Sequence, residues 1–407
     1  MVFCIITPVY AQLKPRPDAF PPVPTNYETK AISMATTLDE MADWDRYPTY
    51  ETYLSMMARW VNDFPTLCHI DTIGTSIQGR LILSLYIEVQ TDDDLYRPEF
   101  FYSATMHGDE LTGYIMMLHL IDTLLHGYGT NTQYTDLINR TRISINPLAN
   151  PDGTYYRGNH TVQGAQRYNA NGIDLNRTFP DPFAITAKSI PQENQAMIDY
   201  LSAHQFRLSA NLHGGAEVMN YPWDSFQSRD RSHPAANWWK EVCRRFVDTS
   251  RVYNRNHFRD VTNSGYIVGG DWYIIDGGRQ DYVNYYHNCL ELTMELSSDK
   301  TLSSNQLNNY WSFLQHPLVN YISEIHNLPE NVSIDRPQHI TQLQVYPNPT
   351  TGHAILSNIA PGTDAQVFDI TGTPVGKSHD GQIDLSQHPE GVYIIRVDTQ
   401  IIKLIKQ

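Results

Sequence analysis

Strand-like and helix-like segments alternate through most of this 407-residue chain. Short apolar runs are separated by longer segments in which apolar residues recur every three or four positions. The runs of strand type are 81–89, 98–106, 142–146, 206–213 and 289–297, and those of helix type are 110–125, 193–204, 235–247 and 306–326. Elements in this order pack as helices on the faces of a sheet, and ligands bind beyond the carboxyl ends of the strands. The body is therefore predicted to be an α/β sandwich with a mixed sheet.

The two ends of the chain differ in composition from this body. The first residues, MVFCIITPVYAQ, are apolar and resemble the end of a truncated secretory signal peptide cleaved after Ala11, with a buried strand as the alternative. Beyond residue 343, short runs of strand length are divided by turn dipeptides, which predicts a small β-sandwich. The predicted divisions are a signal remnant at 1–11, a lead-in at 12–44, a body at 45–328, a linker at 329–342 and the β-sandwich at 343–407.

Charge and cysteine content exclude several classes of protein. There are 29 Lys and Arg against 44 Asp and Glu, a net charge of −15, which argues against binding to nucleic acid or to an anionic membrane surface. Four cysteines are too few for a disulfide scaffold. No apolar run reaches the roughly 18 residues that a membrane-spanning helix needs.

Metal-ligating residue types follow two of the predicted strands. His107 and Glu110 come directly after 98–106, and His213 ends 206–213 and precedes two glycines. Two imidazoles and one carboxylate are the usual ligands of a catalytic zinc ion. The alternative for Glu110 is an acidic residue that favours a helix N-terminus. The wide separation of Glu110 from His213 suits ligands that come from separate strands.

The strand CLELTMELS supplies a candidate base. Alternation places Glu291, Thr293 and Glu295 on one face, with Glu295 at the strand end, where burial would raise its pKa. Glu291 is predicted to lie on a solvated part of that face. Arg167 and Arg177 lie in loop sequence, where a guanidinium can bind a carboxylate in a bidentate manner, although either residue alone is compatible with an ordinary surface position.

Six ordered blocks together resemble the zinc carboxypeptidase family, and its carboxypeptidase N/E branch more than its digestive A/B branch. They are ATMHGDE, INPLANPDG, QRYNANGIDLNRTFPD, SANLHGGAEVMNYPWD, WYIIDGGRQDY and LTMELSSD. The resemblance implies a mixed eight-stranded sheet sandwiched by helices and a single zinc ion. It implies removal of the C-terminal residue from peptides or proteins.

The resemblance also implies roles for individual residues. His107, Glu110 and His213 would bind zinc, and Asp174 would orient His107 through its other ring nitrogen. Glu295 would be the general base, and Arg167 would stabilise the oxyanion. The substrate-binding residues would be Asn176 and Arg177 on the terminal carboxylate, Tyr273 closing over the bound residue, and Asp224 and Gln280 in the side-chain pocket.

Two further expectations come from the pocket and the tail. The acidic side chain of Asp224 implies a preference for C-terminal Lys or Arg. The alternative is that Asp224 caps a turn. VYPNPTTG, FDITG and GVYIIRV resemble the C-terminal sorting domain of the type IX secretion system of Bacteroidetes, which implies contact with the secretion machinery and a secreted or cell-surface location. Rival functions are a cell-wall peptide amidase or peptidase on the same fold and a non-catalytic binding protein on that fold.

Overall fold

A computed structural model describes most of the chain in two compact units that divide near residue 332. The described residues are 31–89, 97–183, 188–287, 289–329, 344–357, 365–378, 381–397 and 400–407. The predicted signal remnant at 1–11, Cys4, the first part of the lead-in and nearly all of the linker at 329–342 lie outside these residues.

The first unit alternates strands with helices, as the sequence predicts. Its strands are β1 (Met34–Ala35), β2 (Tyr47–Pro48), β3 (Cys68–Thr75), β4 (Leu81–Ile87), β5 (Glu99–Ala104), β6 (Arg142–Asn146), β7 (Phe206–His213), β8 (Ala216–Tyr221), β9 (Tyr266–Val268) and β10 (Leu290–Ser297). Its helices are α1 (Tyr50–Asp63), α2 (Thr112–Gly127), α3 (Thr132–Arg140), α4 (Pro151–Thr154), α5 (Gln192–Ala203), α6 (Ala236–Tyr253), α7 (Gly269–Trp272), α8 (Arg279–Tyr286) and α9 (Leu307–Ser323).

Strands β3 to β10 form one mixed sheet of eight strands in the order β3-β4-β6-β5-β7-β10-β8-β9. The four central strands, β6, β5, β7 and β10, are parallel to one another. Buried parallel strands read as nearly continuous apolar runs, which is why these segments are recognisable in the sequence. The predicted mixed α/β sandwich is confirmed, and the carboxyl ends of the four parallel strands meet at one edge of the sheet.

The helices that cover the sheet follow from their apolar patterns and caps. Thr49 caps α1 by accepting a hydrogen bond from the Thr52 amide, and the helix buries Tyr53, Met57 and Trp60. Eleven of the 16 residues of α2 are buried, in keeping with its run of Leu, Ile and Met. The strand before His107 (β5) and the helix after Glu110 (α2) are therefore both anchored in the core.

The described part of the predicted lead-in packs into the first unit. Ala35 and Met41 are buried in the main core. The Ser33 amide donates to Ser304 Oγ at 2.8 Å, and the Tyr47 hydroxyl donates to the Leu302 carbonyl at 3.0 Å. The folded body therefore begins before residue 45.

The second unit is a small β-sandwich, as the short strand-like runs predict. Its strands are β11 (Gln344–Tyr346), β12 (His353–Ser357), β13 (Gln366–Asp369), β14 (Pro374–Lys377), β15 (Gln382–Asp384), β16 (Gly391–Val397) and β17 (Gln400–Lys406). They form a three-stranded and a four-stranded antiparallel sheet. Apolar residues of both sheets share one core, which includes Leu356, Ile383, Val367 and Ile395.

The cysteines of the described chain are all buried free thiols, namely Cys68, Cys243 and Cys289. Burial raises the pKa of Cys68 to about 12, so this thiol is unreactive at neutral pH. Within the ranges given above, no helix is long and apolar enough to cross a membrane.

Candidate metal centre and active site

The predicted site residues lie at the carboxyl edge of the parallel strands. His107 and Glu110 lie in the turn between β5 and α2, and His213 is the last residue of β7. Glu295 of β10 is the register partner of His213 across the neighbouring strand. The topology therefore brings together residues that are far apart in the sequence.

Three donor atoms converge at this edge. His213 Nδ1 lies 2.8 Å from Glu110 Oε2 and 3.0 Å from His107 Nδ1, and His107 Nδ1 lies 3.0 Å from Glu110 Oε2. All three side chains are buried, and their ligand atoms lie within 4.8 Å of one another. Lone pairs at these separations repel one another unless a proton or cation lies between them. Two imidazoles and a carboxylate are a donor set that suits zinc.

The outer nitrogen of each histidine has its own acceptor. His107 Nε2 lies 3.1 Å from Asp174 Oδ1, and His213 Nε2 lies 2.6 Å from Asn211 Oδ1. An Nε2–H bonded in this way leaves Nδ1 unprotonated and aimed inward. The sequence predicted Asp174 in this place but not Asn211. Burial lowers the pKa of His213 to about 4, which keeps its ring neutral at pH 7.

The second oxygen of Glu110 faces two cations. Oε1 lies 3.2 Å from Lys300 Nζ and 3.4 Å from Arg167 Nη1. Although burial acts to raise the pKa of Glu110, the adjoining His107 and His213 hold it well below its usual range. Glu110 is therefore an ionised ligand candidate. Lys300, which lies in a loop beyond β10, was not identified from the sequence.

Glu295 is buried beside the three donors with one oxygen free. Its Oε2 has no hydrogen-bond partner among the described residues. Burial, reinforced by the charge of Glu110, raises the pKa of Glu295 well above the usual value of a glutamate. A carboxylate with an unused oxygen and a raised pKa can take a proton from water at near-neutral pH.

Arg167 and Arg177 differ in their surroundings. Arg167 Nε donates to Asp174 Oδ2 at 2.9 Å, which fixes its guanidinium beside the donor atoms. Arg177 donates only to the Asn176 carbonyl at 2.8 Å, and no carboxylate of the described chain lies within 4 Å of it. Asn176 Oδ1 accepts from the Arg279 amide at 2.9 Å, so its Nδ2 stays available. Arg177 and Asn176 thus offer donors to an external anion.

Asp224 and Gln280 form a buried polar pair at one side of the same pocket. Gln280 Nε2 donates to Asp224 Oδ1 at 2.8 Å and to Asn220 Oδ1 at 3.3 Å, while the buried Gln280 Oε1 has no partner in the described chain. Burial, with the nearby Asp281, raises the pKa of Asp224 well above its usual value. A Cβ on Gly269 would overlap Asp224 Oδ1, so this position requires glycine. Gln280 Oε1 is therefore a buried acceptor without a donor, beside a carboxyl group that already accepts from Gln280 Nε2.

These residues line one pocket. Its walls are formed by His107, Arg167, Asn176, Arg177, His213, Asn220, Asp224, Tyr273, Ile275, Thr293 and Glu295. Glu110, Asp174 and Gln280 support these walls from behind. The structure thus brings every predicted site residue to one place, and it adds Asn220, Ile275 and Thr293.

Glu291 is not on a solvated face, and the prediction for it is wrong. Its side chain is 0% exposed, and Oε2 lies 3.0 Å from Nη2 of the equally buried Arg279. Helix α8 covers this part of β10 and supplies Arg279. Alternation identified the face of the strand correctly, but it cannot indicate whether another element covers that face.

Comparison with known proteins agrees with this geometry. A sequence model of zinc carboxypeptidases matches residues 53–315. The chain belongs to the zinc carboxypeptidase family. A second sequence model, that of a secretion system C-terminal sorting domain, matches residues 344–407. Both resemblances seen in the motifs are confirmed.

The similar curated proteins include members of several branches. Carboxypeptidase D of Mus musculus is 31% identical over 295 residues, which are 69% of this chain but only 21% of that protein. Carboxypeptidase M of Mus musculus is 33% identical over 300 residues, covering 69% of this chain and 66% of that protein. The carboxypeptidase N catalytic chain of Homo sapiens is 32% identical and covers 71% of each. The chain therefore spans about a fifth of the first of these relatives.

Solved structures share the fold at lower sequence identity. Thrombin activatable fibrinolysis inhibitor is 18% identical with a TM-score of 0.60, covering 70% of this chain and 76% of that one. Carboxypeptidase A from Helicoverpa armigera is 19% identical with a TM-score of 0.59, covering 72% and 76%. These likenesses support the architecture of the first unit.

Proposed function

We propose that this member of the family is a zinc-dependent carboxypeptidase that removes the C-terminal residue of peptides or proteins and prefers Lys or Arg there. One observation carries the proposal. A cation-binding donor group, a carboxylate with a free oxygen and an arginine without a carboxylate partner line the same pocket. Each corresponds to one requirement of peptide-bond hydrolysis from a free C-terminus.

The metal and the general base have different tasks in the reaction. His107, Glu110 and His213 would hold zinc, which supplies a Lewis acid for the scissile carbonyl and for water. Glu295 takes the proton from the attacking water and then gives it to the leaving amine. Arg167, fixed by Asp174, donates to the oxygen that becomes negative. The raised pKa of Glu295 favours the second transfer, because the protonated form is then accessible at neutral pH.

Asn176 and Arg177, which would bind the terminal carboxylate, determine where the substrate is cut. The substrate's terminal carboxylate pairs with Arg177 and accepts from Asn176 Nδ2. This contact limits cleavage to the last peptide bond, since an internal residue has no such charge. Tyr273, on the wall of the pocket, covers the bound residue.

The side-chain pocket favours a basic residue. A Lys or Arg side chain would donate to the Asp224 carboxylate and to Gln280 Oε1, which has no donor among the described residues. An apolar side chain would leave the buried Gln280 Oε1 unsatisfied, which costs about 1–3 kcal/mol, and would give Asp224 no counter-charge. The same residues therefore attract basic side chains and discriminate against apolar ones.

Hydrolysis of dansyl-Ala-Arg with and without EDTA tests the proposed activity. We expect release of Arg, loss of more than nine-tenths of the rate with EDTA, and recovery on adding zinc, because the donor set needs its cation. A blocked dansyl-Ala-Arg-amide serves as the control, and it should be cleaved about 100-fold more slowly because it has no terminal carboxylate. Hydrolysis that continues unchanged in EDTA would contradict the metal-dependent scheme.

The same assay separates the rival functions. A cell-wall amidase or peptidase would cleave an isolated peptidoglycan peptide faster than dansyl-Ala-Arg. A zinc-free, non-catalytic binding protein would bind peptide without turnover. The unpaired Arg177 favours a substrate with a free terminal carboxylate over an amide, and the free oxygen of Glu295 favours turnover over binding alone.

We infer that the protein is exported through the secretion machinery that reads its C-terminal domain. The sorting domain at 344–407 supports this export, because such a domain is a targeting signal for the secretion machinery and not a membrane anchor. A protein that lacks these residues should stay inside a host with this secretion system, whereas the full chain should reach the surface or medium. Cell fractionation with activity measurement distinguishes the two. Equal export of both forms would contradict the inference.

A further inference from the structure

His213 needs a defined tautomer to bind a metal through Nδ1. Its Nδ1 points at Glu110 Oε2 and His107 Nδ1, where the proposed metal would lie, and a metal bound there requires the ring proton to be on Nε2. In water the two neutral tautomers of imidazole interconvert readily. Something beside Nε2 must therefore select one of them, and the atom in contact with Nε2 is Asn211 Oδ1, at 2.6 Å.

The neighbours of Asn211 determine which way its amide points. Nδ2 lies 3.1 Å from Glu291 Oε1 and 3.3 Å from the Leu292 carbonyl oxygen. A carboxylate and a carbonyl only accept hydrogen bonds, so the NH₂ group must face them. Oδ1 must then face His213. The reverse orientation would place oxygen against oxygen on one side and NH₂ against the Nε2–H on the other.

Glu291 can impose this orientation because Arg279 and Ser209 favour its anionic form and fix its oxygens as acceptors, against the burial that raises its pKa. It is fully buried, Arg279 Nη2 lies 3.0 Å from its Oε2, and Ser209 Oγ donates to the same oxygen at 2.8 Å. Arg279 is also fully buried, with its guanidinium 5.0 Å from the centre of the Phe101 ring. A buried charge persists only with such partners. The ion pair thus stands behind Asn211, on the side away from the donor group.

We propose that Asn211, oriented by an acceptor oxygen of Glu291, is a positioning residue that keeps the proton of His213 on Nε2 and its Nδ1 lone pair directed at the metal. This inference rests on the proposed metal site and adds a second support to it. Asp174 supports His107 from the adjacent loop, and Asn211 supports His213 from within β7. The two histidines are thereby held independently of each other.

Zinc affinity of Asn211→Leu, measured by competition with a chromogenic chelator, tests the proposal. We expect zinc to bind about 10- to 100-fold more weakly than in the wild type. Asn146→Leu is the matched control, because Asn146 is equally buried at the end of β6 and makes its hydrogen bonds to Ser103 Oγ and the Leu83 carbonyl, neither of which is a metal donor. It should lose similar thermal stability without zinc yet bind zinc within about threefold of the wild type.

A pair of double variants isolates the acceptor from the charge. Arg279→Met with Glu291→Gln removes the ion pair but keeps an oxygen for Asn211 Nδ2, whereas Arg279→Met with Glu291→Met removes both. We expect near wild-type zinc affinity from the first and about tenfold weaker binding from the second. These variants leave no buried unpaired charge and are therefore expected to fold. Their zinc affinities test the role of Asn211 even if Asn211→Leu fails to fold.

The outcomes separate the proposal from the site on which it rests. Wild-type affinity in Asn211→Leu, or equal affinity in the two double variants, would overturn the role of Asn211. If the wild type binds no zinc, or if His107→Ala binds it unchanged, the metal site itself is refuted.

Discussion

The variant Glu295→Gln is expected to lower kcat about 10³- to 10⁴-fold while leaving the zinc content unchanged. Gln has the shape of Glu but cannot take a proton from water. Glu295 is not among the three clustered donors, so the cation should stay bound. Stopped assays for kcat and elemental analysis for zinc, on the same preparation, measure the two effects.

Glu193→Gln is the matched control for this variant. Glu193 is also buried, but it accepts from the Ile77 amide and from Asn169 Nδ2, and it does not line the pocket. Its kcat should stay within a few-fold of the wild type. More than a tenth of wild-type turnover in Glu295→Gln, or loss of zinc from it, would refute Glu295 as the base.

The variant Asp224→Asn is expected to lower kcat/KM for a C-terminal Arg substrate about 100- to 1000-fold. The buried guanidinium of the substrate would lose its counter-ion, while the amide keeps an oxygen for Gln280 Nε2. A substrate ending in Leu should change little, because it makes no ion pair. Paired substrates that differ only in the last residue give the ratio directly.

In the wild type, the ratio of kcat/KM for the Arg substrate to kcat/KM for the Leu substrate should depend on pH. The pKa of Asp224 is raised by burial and by Asp281, so its carboxyl stays protonated to a higher pH than an exposed one. Preference for Arg over Leu should therefore rise as the pH rises through that pKa, and fall as it drops. Glu295 affects both substrates and cancels in the ratio. Asp224→Asn should flatten the profile, and Glu217→Gln, outside the pocket, should not.

Much of the site was predictable because it is built on strand ends. An apolar run that ends in His213, or a run followed by His107, places a polar side chain at the carboxyl edge of a buried sheet whatever the remaining topology is. The boundaries 142–146 and 206–213 coincide with β6 and β7 for the same reason. Apolar periodicity is a local property, so these elements could be predicted from short windows of sequence.

The residues that support the site were harder to predict from the sequence, because their roles depend on contacts between distant elements. Asn211 carried a signal that alternation could have revealed, since it lies two positions before His213 on the same face of β7. Arg279 and Lys300 carried none. Only the placement of α8 against β10, and of the following loop against Glu110, gives these two residues their partners.

The way the N-terminal segment is tied into the core limits how far the chain can be trimmed. The Ala31 carbonyl accepts from the Ser304 amide, Ala35 has no exposed surface, and Tyr47 reaches Leu302. The loop that contains Ser304 follows directly after Lys300, which contacts Glu110. Proteolytic maturation or engineered truncation that removes residues past about 31 would therefore disturb the loop next to Lys300 and with it the active centre, whereas a cut before that point would leave these contacts in place.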